Sequence, residues 1–156
     1  MERAVQDTVH TALSLPQSPH LLHTAEPDYP SLRIEPTVKG GLAGWQVRRL
    51  TGHIDANLSA TLRNTHLAAM LGLSVSHFTR AFTRTLGVPP RVYVLQRRIA
   101  AACDAMLASD DALTSIAHAH GFCDQSHFSR AFQSHMGVGP QSWRRQRLAY
   151  AAYQTL

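Results

Sequence analysis

The chain has 156 residues, room for one ordinary domain and a tail, and its 44% hydrophobic content supports a packed core rather than wholesale disorder. Residues 1–44 carry Arg3, Arg33 and Lys39 against Glu2, Asp7, Glu26, Asp28 and Glu35, whereas residues 45–156 carry twelve arginines against five aspartates, a net of +7 within an overall +5. Positive charge concentrated in one part of a chain favours a polyanionic partner, and the scarcity of acidic groups there disfavours carboxylate catalysis.

From the N-terminus, residues 1–15 have acidic side chains early and no continuous apolar core, unlike a secretory signal. A short helix is expected at about residues 2–13. Pro16, Pro19, Pro27, Pro30 and Pro36 then interrupt the chain, with Gly40, Gly41 and Gly44 behind them. Proline fixes φ and removes a donor, so residues 1–41 are expected to form a poorly ordered arm or linker. No apolar run approaches the ~20 residues of a membrane span. Two cysteines, Cys103 and Cys123, do not make a disulfide framework, and the expected setting is a reducing cytoplasm.

From Trp45 the pattern is helical. Trp45, Val47, Leu50, Ile54 and Leu58 give a first helix ending near Asn57. Leu67, Met70 and Leu71 belong to a second, stopped by Gly72. Ser74 is a suitable N-cap for a third helix, with Phe78, Phe82 and Leu86 inward and Gly87 closing it. Pro90 suits the first turn of a fourth, about 18 residues or ~27 Å long, whose apolar face reads Val92, Leu95, Ile99, Ala102/Cys103 and Met106. Asp110 and Asp111 break it and supply caps, and further helices are expected at about 112–120, 125–136 and 140–151.

The chain repeats itself. Leu67-Ala68-Ala69-Met70-Leu71-Gly72-Leu73-Ser74 is echoed by Ile116-Ala117-His118-Ala119-His120-Gly121-Phe122-Cys123. Ser76-His77-Phe78-Thr79-Arg80-Ala81-Phe82 matches Ser126-His127-Phe128-Ser129-Arg130-Ala131-Phe132, and Gly87-Val88 and Pro90 match Gly137-Val138 and Pro140. Each copy has the mechanics of a helix-turn-helix. A small residue (Ala68, Ala117) permits a close crossing, and a glycine four residues on (Gly72, Gly121) accepts a left-handed turn. A plain helical hairpin would explain one copy; the shared polar set makes packing alone a poor account of two.

The run Gly121-Phe122-Cys123-Asp124-Gln125-Ser126-His127-Phe128-Ser129-Arg130-Ala131-Phe132, with Gly137-Val138-Gly139-Pro140 and Trp143-Arg144 behind it, resembles the signature of the AraC/XylS family of bacterial transcriptional regulators. The first copy and Arg98-Ile99 fit the same pattern, so the resemblance covers residues 42–148 and leaves 149–156 as a tail. It departs at His120, where an aliphatic residue is usual, and at Ala105, where leucine is common. It implies an all-α fold of two homeodomain-like helix-turn-helix subdomains joined by a long linker helix. It also implies recognition helices in successive major grooves of promoter DNA, and RNA polymerase as a partner. Two units in one chain imply binding as a monomer. Family members usually add a sensing domain longer than residues 1–41, so the chain is expected to be a stand-alone regulator or a truncated product.

The outward faces of the two recognition helices give the DNA-binding candidates: Ser76, His77, Thr79, Arg80 and Arg84, with Thr83 further along, and Gln125, Ser126, Ser129, Arg130 and Gln133. Arginine pairs bidentately with guanine and glutamine with adenine, so Arg80, Arg130 and Gln125 are the candidates for specificity. Asp124 is expected to cap the second recognition helix. Arg97, Arg98, Arg144 and Arg145 lie beside apolar stripes and are candidates for phosphate contact or for a structural role. His118, His120, Cys123 and His127 cluster in sequence, but two histidines two apart on a helix diverge by about 200°, so no metal site is expected. No nucleophile–base set, phosphate loop or cofactor motif is present, and an enzyme is not expected. The rival reading is a helical module that has lost DNA binding and engages another protein; arginine at both 80 and 130 argues against it.

Overall fold

The structure is a computed structural model that describes residues 39–154, all within one compact unit. The arm expected over residues 1–41, with its short helix, lies outside the described residues except for 39–41. Among the described residues there are seven helices and no strand: α1 (Gly44–Ala56), α2 (Asn64–Ala69), α3 (Val75–Leu86), α4 (Pro90–Ala108), α5 (Leu113–Ala119), α6 (Gln125–Met136) and α7 (Pro140–Gln154). The fold is all-α, as expected. No described helix is long and apolar enough to cross a membrane.

Two hydrophobic cores organise the helices, and no buried residue belongs to both. The first gathers Val47, Leu50 and Ile54 of α1, Leu67, Ala68 and Leu71 around α2, Phe78, Ala81 and Phe82 of α3, and Val94 of α4. The second gathers Ile99, Ala102 and Met106 of α4, Ile116 and Ala117 of α5, then Phe122, Phe128, Phe132 and Trp143. Helix α4 has 19 residues, ~28 Å at 1.5 Å per residue, and serves the first core with one end and the second with the other. Pro90 opens it at the position where a missing N–H costs nothing.

The copies are packed alike. Phe78 and Phe82 stack edge to face at 5.6 Å, and Phe82 meets Tyr93 at 5.6 Å; Phe128 and Phe132 stack at 5.5 Å, and Phe132 meets Trp143 at 5.8 Å. The repeat therefore continues into the first turn of the helix that follows each recognition helix.

Four expectations change. Trp45 is 54% exposed, because it lies about 200° around α1 from Val47, which faces the core. Val92 is likewise exposed and Val94 buried, because the first turns of α4 meet the first core along a different stripe from the one Ile99 presents to the second. Asp110 and Asp111 do not cap α5, whose N-cap is Ala112 with no side-chain bond; instead Ser109 Oγ donates to Asp111 Oδ2 at 2.9 Å. Helix α7 continues to Gln154, past the expected end near residue 151, so the segment left as a tail is helical as far as it is described.

Truncating Phe128 to alanine is expected to cost about 3–5 kcal/mol in urea unfolding. Because the cores share no buried residue, amide exchange should accelerate in α5–α7 before α1–α3.

Candidate nucleic-acid interface

Each recognition helix begins and ends in the same way. The positive-φ glycines at the turns, Gly72 (φ 66°) and Gly121 (φ 76°), let Leu73 N donate to Ala68 O and Phe122 N to Ala117 O, both at 3.0 Å. The N-caps are Ser74 for α3 and Asp124 for α6, each accepting from the amide three residues on, at 3.3 Å from His77 N and 2.7 Å from His127 N. Gly87 and Gly137 end the two helices in the left-handed conformation. The bond from the His127 amide, chiefly, holds the Asp124 carboxyl below its ordinary value, with the Arg130 charge as a smaller contributor.

With Phe78, Ala81 and Phe82 inward, α3 exposes Ser76, His77, Arg80 and Arg84, and half-buries Thr79 and Thr83. Thr79 Oγ1 donates to Val75 O and Thr83 Oγ1 to Thr79 O, each at 2.8 Å, so the hydroxyls bond back to their own helix and offer methyls and lone pairs outward. An open groove of about 660 Å³ runs along this face, lined by His77, Thr79, Arg80, Thr83, Arg84 and Gly40. On α6, Gln125, Ser126, Arg130 and Gln133 are exposed and Ser129 is half-buried. The structure thus gathers Ser76, His77, Thr79 and Arg80 on one face and Gln125, Ser126, Ser129, Arg130 and Gln133 on the other.

Arg84 behaves differently from the rest of its set. Its Nη1 donates to Lys39 O at 2.9 Å, while Leu42 N donates to Thr85 Oγ1 at 2.8 Å, so the end of α3 anchors the segment that enters α1. Thr114, absent from the expected site, donates to Gln125 Oε1 at 2.7 Å and orients that amide so that its NH₂ remains as a donor. The signal was half visible, since Thr65 occupies the matching place in the first copy, but there Val75 stands where Gln125 does and its side chain has no acceptor.

Two of the four flanking arginines are structural, held by backbone carbonyls. Arg98 donates from Nε to Leu58 O at 2.9 Å, from Nη1 to Gly121 O at 2.9 Å and from Nη2 to Ala60 O at 2.8 Å. Arg144 donates to Met106 O at 2.7 Å, to Asp111 O at 2.9 Å and to Ser109 O, closing carbonyls at the C-terminal end of α4 and in the α4–α5 connection. Both guanidiniums are half-buried and spend their donors on carbonyls, which favours the structural role over phosphate contact for these two. Arg97 pairs with Asp55 at 2.7 Å, tying α4 to the end of α1. Arg145 is exposed, and among the described residues its contact is a long one, 3.5 Å to Ser142 Oγ.

The histidine cluster is dispersed: among the described residues no group of three or more His, Cys, Asp or Glu is placed to hold a metal. His127 lies against Phe122, with ring centroids 5.5 Å apart. His120, the family departure, ends α5, and burial lowers its pKa against the opposing pull of Asp104. Ala105, the other departure, packs on the second core. Cys103 and Cys123 are free thiols, and burial, aided by Asp104, pushes Cys103 up to about 12.

Residues 67–146, half of the chain, match a family described as a helix-turn-helix domain. An AraC-type transcriptional regulator from Chromobacterium violaceum is similar in structure, at 26% identity and a TM-score of 0.62 over 65% of this chain and 91% of that one. The C-terminal domain of AraT, a response regulator from Geobacillus stearothermophilus, is 27% identical with a TM-score of 0.62, covering 73% and 88%. The DNA-binding domain of AdpA, a global transcriptional factor solved with a target DNA, shares the fold at 21% identity, with a TM-score of 0.64 over 67% and 95%. No curated protein matches the chain significantly. The chain belongs to the AraC family of helix-turn-helix transcriptional regulators.

The Asp124 cap makes a pH-dependent contribution of known sign. Its folded pKa is depressed, so the stabilisation is present above the unfolded carboxylate value, near pH 4, and is lost as pH falls through the folded value. Asp124→Asn, which keeps an acceptor without a charge, should flatten the acid limb of α6 stability. Helicity and melting temperature compared between pH 2.5 and 6 will check this, and equal acid sensitivity in both proteins would refute it.

Proposed function

We propose that this protein is a sequence-specific regulator of transcription that binds promoter DNA as a monomer, with α3 and α6 entering successive major grooves. The observation that carries the reading is the paired arrangement of Arg80 and Arg130. They occupy matching exposed positions on two helices with side-chain N-caps, glycine C-caps and paired phenylalanines in the same places, and neither guanidinium is hydrogen-bonded among the described residues. A guanidinium so presented suits guanine O6 and N7, Gln125 suits adenine, and Thr79 offers a methyl to thymine. The residues at matching positions differ between the copies, Thr83 against Gln133 and Val75 against Gln125, so the two halves of the site differ in sequence. A helix of ~28 Å between the motifs is compatible with half-sites about 34 Å apart. Regulation then proceeds in the cytoplasm, through RNA polymerase at the promoter.

Site selection from random duplexes should return an asymmetric site of roughly 20 base pairs. Arg80→Ala should relax specificity in one half and Arg130→Ala in the other, each costing about 1–3 kcal/mol. An arginine that held only phosphate would weaken all sequences alike and reduce the salt slope by about one. Equal competition by every duplex would instead favour the protein-binding module.

Inserting five base pairs between the halves turns one of them by about half a helical turn. Affinity should then drop to that of a single half-site in a binding titration, whereas a palindromic footprint would establish a dimer.

A further inference from the structure

We propose that Arg98 is a positioning residue for specificity: its guanidinium clamps the first helix-turn-helix half to the second and so fixes the half-site spacing the protein accepts. The inference rests on the two-groove reading above and assigns a cause to the spacing that reading requires.

The need for a clamp follows from the two cores. Val94 is the last residue of α4 buried in the first core and Ile99 the first buried in the second, so the helix crosses from one to the other over residues 95–98. A helix is not a rigid rod. A bend of about 10° at its middle moves a point ~14 Å away by ~2 Å, a large part of the ~3.4 Å rise of one base pair. Arg98 stands at this crossing. Its planar fork holds two carbonyls of the α1–α2 connection, Leu58 O and Ala60 O, and one carbonyl of the second motif's turn, Gly121 O. One side chain therefore bonds both halves, on the flank of α4 where they would open. An ammonium on a flexible stem cannot present three donors in that plane.

Gly121 supplies an independent observation. A Cβ there would collide with the Leu58 carbonyl oxygen and lie 2.8 Å from Arg98 Cζ and Nη2. Its counterpart Gly72 has the same left-handed backbone, yet a Cβ there meets nothing within 4 Å. Both motifs need glycine for φ, and only the second needs it because the other half of the protein is packed against the turn. Arg97, bonded to Asp55 at 2.7 Å, fastens the neighbouring end of α1 to the same stretch of α4.

The test uses the full chain and the site selected for it, with the space between halves changed by −1, 0, +1 and +2 base pairs. Wild-type affinity should peak sharply at one spacing. Arg98→Ala should lower affinity at the peak by about tenfold and flatten the profile to within about threefold, with binding to each isolated half-site unchanged. Arg98→Lys, which keeps the charge and most of the length, guards against a variant that fails to fold and should flatten the profile similarly. In the same proteins without DNA, spin labels at Thr65 and His135, exposed and outside the proposed base-reading set, report the distance between halves once Cys103 and Cys123 are replaced by serine. The distance distribution should be narrow in wild type and broad in both Arg98 variants.

A sharp profile and narrow distribution in folded Arg98→Ala or Arg98→Lys would overturn the clamp while leaving the two-groove reading intact. A flat profile in wild type would overturn the two-groove reading, and the spacing role with it. General destabilisation alone would lower every site in proportion and keep the shape of the profile, which also counts against the proposal.

Discussion

On each recognition helix two phenylalanines one turn apart are completely buried, Phe78 with Phe82 and Phe128 with Phe132. With 3.6 residues per turn, fixing those two positions inward leaves positions 76, 77, 80 and 84, or 126, 130 and 133, with nowhere to go but outward. The second phenylalanine of each pair also meets the aromatic ring of the following helix, Tyr93 or Trp143, and so places the next element as well. Caps and glycines define where each helix starts and stops; the phenylalanines define which way it faces. Which polar side chains can meet a ligand depends on that rotation.

The distribution of arginine is the second organising feature. Net positive charge suggests a surface made for phosphate, yet Arg98 and Arg144 are turned onto carbonyls that the ends and connections of helices leave unsatisfied. Five donors in a fixed plane make arginine suited to closing several carbonyls at once. The chain thus uses one residue type both for internal construction and for presentation to solvent. Arg80 and Arg130 belong to the second use, and total charge by itself does not separate the two.

What could be read from the sequence was what local chemistry decides. Helix α6 runs over Gln125–Met136, the range its sequence implies, because Asp124 and Gly137 are signals carried within the element. The repeat revealed the phenylalanine pairs for the same reason: a matching polar set at matching spacing shows which positions are constant and inward. Periodicity was less informative at Trp45 and Val92, since an apolar residue at the first turn fits a stripe on paper before the helix has met its core. Long-range partners were out of reach. Arg98 finds its carbonyls 23 to 40 residues away, and Arg84 is drawn to Lys39 across 45 positions. Thr114 meets Gln125 only because the turn folds α5 back on α6, a contact that no spacing announces.

Separate cores also give the two halves separate histories. A substitution that repacks the neighbourhood of Phe128 does not reach any residue buried with Phe78, and a change of reading residue on one helix leaves the other's support untouched. The sequence already records such divergence: Thr83 has become Gln133 and Val75 has become Gln125, or the reverse, while the aromatic framework is shared. If α3 and α6 each read one half-site as proposed, a lineage built this way can acquire a new preference in one half while the other keeps its attachment to the old address. Recognition can then drift by halves, with no intermediate that is blind to both.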